Sequence, residues 1–96
     1  RYLQFINTAS QRTNVPSNLI AAVIWKESRG DPNAATINPV NQQFDGGLMQ
    51  INAITFNDQI QQHQDIPKLP VTDPETNILA GAYYLAVLFN QFQVWQ

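Results

Sequence analysis

Cysteine is absent from the chain, which excludes disulfide staples and thiolate metal sites. Charge is scarce as well: Asp, Glu, Lys and Arg make up 12% of the 96 residues, against roughly 25% in an average soluble protein. Basic residues are fewest. Arg1, Arg12, Lys26, Arg29 and Lys68 are scattered and outnumbered by seven acids, for a formal net charge of -2. A nucleic-acid surface needs clustered cations, so that class of partner is excluded. No run approaches the ~20 apolar residues of a membrane span, and no basic-then-apolar leader opens the chain. It starts in "RYLQFINTASQ", already amphipathic, as expected of a mature form or an excised domain. Four glycines and six prolines are too few for a low-complexity linker.

What is present describes one folded unit. Hydrophobic residues reach 44%, enough for a compact core, and residues 1–96 read as a single all-α domain. Leu3, Phe5, Ile6 and Ala9 set a short helix period that runs out near "RTNVP". A second helix reads "SNLIAAVIWKES", with Ser17 or Asn18 available as a cap and Gly30-Asp31-Pro32 as its stop. Residues 30–47, rich in Asn, Pro and Gly, have no period and read as a long loop. "LMQINAITF" begins a short third helix. "TDPETNILAGAYYLAVLFNQF" carries the fourth, with Thr72 and Glu75 spaced as a capping box and Ile78, Ala82, Leu85, Phe89 and Phe92 along one face. No strand alternation or internal repeat is found. Polarity comes mostly from Asn and Gln, in runs such as "NQQF" and "DQIQQHQ". Neutral amides both donate and accept hydrogen bonds, which suits a sugar partner and equally suits a solvated surface.

One residue breaks the pattern of the second helix. Ile20, Val23 and Ile24 line a face whose next position is Glu27. A carboxylate near a helix end is commonly structural, pairing here with Lys26 or Arg29. Yet the negative end of the helix dipole and apolar neighbours would both favour its protonated form, as a general acid requires. Other residues carry less. His63, the only histidine, sits among glutamines and reads as solvated. No His and carboxylate grouping has metal-ligand spacing, so no metal or cofactor is expected. Ser28 has no nearby histidine to activate it. Gly46-Gly47 reads as a tight turn, since no lysine follows to make a phosphate loop.

Three stretches, taken in order across residues 19–92, resemble the signature segments of lytic transglycosylases of the lysozyme-like superfamily. They are "AAVIWKESRGDPNAAT", "GLMQIN" and "DPETNILAGAYYLAVLF", the second being the most specific. The resemblance implies a goose-type, lysozyme-like helical fold and cleavage of the β-1,4 bond between N-acetylmuramic acid and N-acetylglucosamine in peptidoglycan, with a 1,6-anhydro product. It places the catalytic acid on Glu27. Substrate contacts fall on Ser28, Met49, Gln50 and Asn52, on Thr36 after the first motif, and on Tyr83 or Tyr84 from the third.

The loop "INPVNQQFDGGLMQIN" is similar to small members that accompany secretion, pilus and conjugation machines, and to phage-borne wall enzymes. The partners so implied are peptidoglycan strands and a secretion, conjugation or phage assembly, for a monomer outside the cytoplasmic membrane or on a virion. One departure stands out. Members continue into a segment of the type Ala-x-x-Ala-Tyr-Asn-Ala-Gly, whereas this sequence stops at "FQVWQ", so a C-terminally truncated domain is expected. Two alternatives remain at this level. A goose-type muramidase would let water attack, with Asp45 as the loop acid to position it. A non-catalytic module would grip glycan or dock on an assembly without cutting.

Overall fold

The computed structural model describes residues 1–92, and the side chain of Phe92 lies outside the description. That side chain belongs to the face proposed for the last helix. The end of "FQVWQ", where the family's further segment was expected, also falls outside the described residues.

Four helices form the frame: α1 (Leu3–Thr13), α2 (Ser17–Ser28), α3 (Ala53–Gln62) and α4 (Pro74–Phe92). Between α2 and α3 lies a small antiparallel sheet of β1 (Ala35–Ile37), β2 (Phe44–Gly46) and β3 (Ile51–Asn52), in the order β1-β2-β3. The all-α expectation is therefore corrected, and part of the expected loop over residues 30–47 is a β-hairpin. The strands are two or three residues long, and every residue of β1 is exposed. Strands this short, with β1 wholly exposed and one buried residue in each of the other two, give no two-residue period to read.

Local chemistry also shifts several boundaries. Val15 is fully buried behind Asn14, which closes α1 in the left-handed region at φ 64°. α2 follows Pro16 with no side-chain cap, so neither Ser17 nor Asn18 serves. Helix α3 starts at Ala53 rather than Leu48, because the Asn52 carboxamide accepts from the Ile54 N–H at 2.9 Å and caps it. Before α4 the cap is Asp73, one residue past the expected Thr72. Its Oδ2 accepts from the Thr76 N–H at 3.0 Å and from the Thr76 hydroxyl at 2.9 Å.

The core is organised around α4, whose residues 76–82 are all buried. Helices α1 and α3 both pack against it, and α2 is held mainly by α1. Ile6, Ala9, Ile20, Ile24, Leu48, Ile51, Phe56, Ile66, Ile78 and Leu79 form one contiguous cluster between them. Among the described residues no helix is long and apolar enough to cross a membrane.

Candidate functional site

A cleft of about 490 Å³ opens between α2, the sheet and α4. Val23 of α2, Met49 and Ile51 after the hairpin, and Tyr84 and Leu85 of α4 give it apolar surface. Asn38, Asn41, Gln43, Asp45, Gln50, Asn52 and Thr55 give it polar groups. Mixed in this way, with Asp45 as the one charged group among the described lining residues, it suits a sugar strand, which presents hydroxyls and amides at its edges and C–H surface on its ring faces.

The cleft's floor depends on one buried amide. Asn77 of α4 has no exposure. Its Oδ1 accepts from the Met49 N–H at 2.8 Å, and its Nδ2 donates to the carbonyls of Gly46 at 3.0 Å and Val71 at 2.8 Å. Gly47 lies against this amide at φ 78°, where an added Cβ would overlap both the Asn77 side chain and the Val71 carbonyl. Gly81, one turn further along α4, leaves room for the Met49 thioether. Glycine is thus required at Gly47 by backbone conformation and at Gly81 by close approach. The clamp holds "GLMQ" on the helix and delivers Met49 to the cleft with only 6% exposure.

Gln50 takes the next position in the left-handed region, at φ 50°. Its Oε1 accepts from the Thr36 hydroxyl at 2.6 Å, and its Nε2 donates to the carbonyls of Ala34 and Gly47, both at 2.8 Å. Thr36 does not line the cleft itself and acts on it through Gln50. In the sheet register Thr36 faces Asp45, and Asp45 faces Asn52. Directly paired positions share a face, so these three form a polar row of which Asp45 and Asn52 reach the cleft.

Glu27 lies in the last turn of α2, exposed, and its carboxylate makes no hydrogen bond or ion pair to any other described residue. The expected enclosure by apolar neighbours is corrected, because the buried stripe runs Ile20, Ile24, Ser28. Glu27 instead follows Val23 by four residues, on the flank that Val23 presents to the cleft. The expected pairing with Lys26 or Arg29 is not formed; Arg29 stacks over the Trp25 ring at 4.8 Å. Ser28 is buried. Its hydroxyl donates to the Ile24 carbonyl at 3.0 Å and accepts from the Gly30 N–H at 3.2 Å, which ties down the helix end beside Glu27.

The two tyrosines separate. Tyr84 lines the cleft, whereas Tyr83 turns away, stacks on His63 with ring centroids 3.6 Å apart, and donates to Asp65 at 2.8 Å. His63 is thus half-buried against an aromatic ring rather than solvated. Sequence reasoning missed Asn77, although a lone amide inside the apolar run of α4 was a signal for it. It also missed Asn38, Asn41, Gln43 and Thr55 as individual positions, having noted only the amide-rich run. Among the described residues no three His, Asp or Glu side chains are grouped to hold a metal ion.

Residues 4–96 match the family model of the Transglycosylase SLT domain. The chain is 38% identical over 105 residues to the X polypeptide of Escherichia coli, covering 98% of this chain and 61% of that protein. It is 30% identical over 94 residues to the membrane-bound lytic murein transglycosylase E of Buchnera aphidicola, covering 94% and 42%. With the endo-type membrane-bound lytic murein transglycosylase A of Salmonella paratyphi B the identity is 33%, covering 94% and 44%. The chain thus spans between 42% and 61% of the length of these relatives. Among solved structures, the 70 kDa soluble lytic transglycosylase of Escherichia coli superposes with a TM-score of 0.79 at 26% identity, covering 95% of this chain and 14% of that one.

Proposed function

The chain belongs to the transglycosylase SLT domain family, and from that premise we infer that it cleaves peptidoglycan glycan strands as a lytic transglycosylase, outside the cytoplasmic membrane, with Glu27 as the single acid and base. The observation that carries this reading is an unpaired, accessible carboxylate in a fixed helix end, on the flank that α2 turns toward an amide- and aromatic-lined cleft.

Glu27 donates its proton to the glycosidic oxygen as the bond to the anomeric carbon of N-acetylmuramic acid breaks. The acetamido oxygen of that sugar stabilises the developing positive charge, in the manner of substrate-assisted glycosidases. The C6 hydroxyl then attacks the anomeric carbon and gives its proton to the Glu27 carboxylate. The result is a 1,6-anhydro ring, a free leaving strand and a reprotonated acid, with no water consumed. In the free protein Glu27 is exposed, so the bound strand is what excludes water from around it. Met49 and Tyr84 offer surface to the sugar rings, while Gln50 and Asn52 hold the floor beside them.

A hydrolytic outcome has one observation in its favour: Asp45 lines the same cleft and could direct a water onto the anomeric carbon. Mass spectrometry of products released from purified peptidoglycan separates the two. Anhydro-muropeptides are expected, and reducing ends would assign a muramidase. Glu27→Gln is expected to lower release by at least about a hundredfold with an unchanged helical spectrum. A fully active Gln variant would remove Glu27 from the mechanism, and glycan binding without any product would mark a binding module.

A further inference from the structure

Helix α2 has a second flank that the cleft leaves unused. At about 100° per residue, Ala21 and Trp25 lie on the opposite side of the buried Ile20, Ile24, Ser28 stripe from Val23 and Glu27. There α2 meets the start of α1 around a second cavity, of about 280 Å³. Leu3 and Ile6 of α1 and Ala21, Ile24 and Trp25 of α2 give it apolar walls. Trp25 is 61% and Leu3 64% exposed, so the rim of this cavity is apolar surface left in water.

Two guanidinium groups border that surface, each laid over an aromatic ring. Arg29 lies 4.8 Å from the centre of the Trp25 ring, and Arg1 lies 5.7 Å from that of Tyr2, which also lines the cavity. Neither guanidinium makes a hydrogen bond or ion pair to another described residue. Cations elsewhere are used differently: Arg12 pairs with Asp65, and Lys68 donates to backbone carbonyls. The nearby acids do not answer the two arginines. Asp31 spends its Oδ1 on the Asn33 N–H at 2.9 Å, and Glu27 stands on the other flank of the helix. A stacked guanidinium keeps its N–H edge open, and that edge matches a carboxylate through two parallel bonds.

We propose that this pocket docks a partner protein through an acidic segment, which inserts one large apolar side chain between α1 and α2 and sets its carboxylates on Arg1 and Arg29. The volume falls below the roughly 300–1,000 Å³ of small-molecule sites and is suited to a single side chain. A sugar would meet no side-chain amide or carboxylate among the described lining residues, in contrast to the cleft. Charge complementarity selects acidic sequence, and Trp, Tyr and Arg are the residues that most often carry the binding energy of protein interfaces. Because the pocket and the cleft occupy opposite flanks of α2, the proposal stands apart from the cleavage reading.

The test reads the chemistry of the docked segment without presuming its sequence. A display library of random short peptides is panned against the unsubstituted protein, against Trp25→Ala and against Arg1→Glu/Arg29→Glu. The leading peptide is then synthesised with a fluorophore and titrated by anisotropy. The unsubstituted protein is expected to enrich peptides that place Asp or Glu beside a large apolar residue. Trp25→Ala is expected to weaken the leading peptide by at least about tenfold. Arg1→Glu/Arg29→Glu is expected to lose the acidic peptides and enrich basic ones, a reversal that unfolding cannot produce. Should that variant unfold, Arg29→Gln is expected to weaken the leading peptide roughly threefold.

No enrichment, enrichment without acidic residues, or equal binding by Trp25→Ala overturns the docking site. Displacement of the peptide by an N-acetylglucosamine hexamer moves it to the cleft and overturns the site as well. Displacement by a free stem peptide of peptidoglycan, which carries the same charged groups, reassigns the surface to the wall and overturns the protein partner. Release of muropeptides by the unsubstituted protein, measured separately, judges the cleavage reading alone.

Discussion

Asn77 illustrates how much of the cleft rests on a residue that never touches it. Its carboxamide uses its oxygen and both hydrogens on three backbone groups from two separate segments, Gly46 and Met49 in one and Val71 in the other. Removing a buried partner leaves those groups desolvated and unpaired, and that loss exceeds the net worth of the bonds themselves. Asn77→Ala is expected to destabilise the protein by about 2–4 kcal/mol, read as a lowered midpoint in urea unfolding. Gly47→Ala acts on the same contact from the other side, combining a left-handed backbone with overlap against the amide. The Gly47→Ala/Asn77→Ala double variant is expected to cost less than the sum of the two, because the alanine at position 77 removes one of the groups that the new Cβ strikes. Full additivity would place the cost of Gly47→Ala in its φ angle and the Val71 carbonyl alone.

At the scale of elements, helix starts are decided by which side chain the first free N–H groups meet. Thr72 and Asp73 both fit a cap in sequence, but Pro74 suits the first helical position, where its missing N–H is of no consequence, and that makes Asp73 the cap. Asp73→Ala is expected to cost about 1 kcal/mol and Thr72→Ala less than about 0.5 kcal/mol; thermal unfolding of the two variants side by side decides between the registers. Legibility followed burial. Helices α1, α2 and α4 were visible because each buries a stripe or, in α4, nearly two whole turns of core. The sheet was not, since Thr36, Asp45 and Asn52 pair through backbone groups while their side chains face solvent or the cleft. Glu27 was singled out by the stripe it was expected to end and then by its place in a motif, but its surroundings differ from that expectation: a four-residue step from Ile24 leads to Ser28, and only the flanking step from Val23 reaches the carboxylate. The cleft-lining amides could be seen as a composition, not as positions, because the path of the turn decides which of them reach the cleft.

Across the whole molecule, the side of α4 away from the cleft is tied to α1 through the segment between α3 and α4. Arg12 of α1 and Tyr83 of α4 both donate to Asp65 Oδ2, at 3.0 and 2.8 Å, and His63 stacks on the Tyr83 ring. Successive helix residues point about 100° apart, so holding Tyr83 on this side fixes the rotation at which Tyr84 faces the cleft. Partial burial pushes the Asp65 carboxyl upward, but hydrogen bonds from Tyr83 and Arg12 outweigh it and hold it below its ordinary value. Burial and the bond to the Asp65 carboxylate raise Tyr83. A depressed carboxyl stabilises the fold above its unfolded value and loses that contribution as pH falls through its lower folded value. A raised phenol contributes below its unfolded value and loses the contribution above about pH 10. Both groups are solvent-accessible, so each effect is small. Tyr83→Phe keeps the stack on His63 and deletes the hydroxyl. It is expected to lower stability at pH 7 by roughly 0.5 kcal/mol, to flatten the alkaline limb of stability against pH, and to move the acid limb upward as Asp65 loses a donor. If the tie also sets the rotation of α4, the same variant weakens glycan binding through Tyr84 more than its stability loss explains. Equal glycan affinity in Tyr83→Phe and the parent would confine the tie to stability.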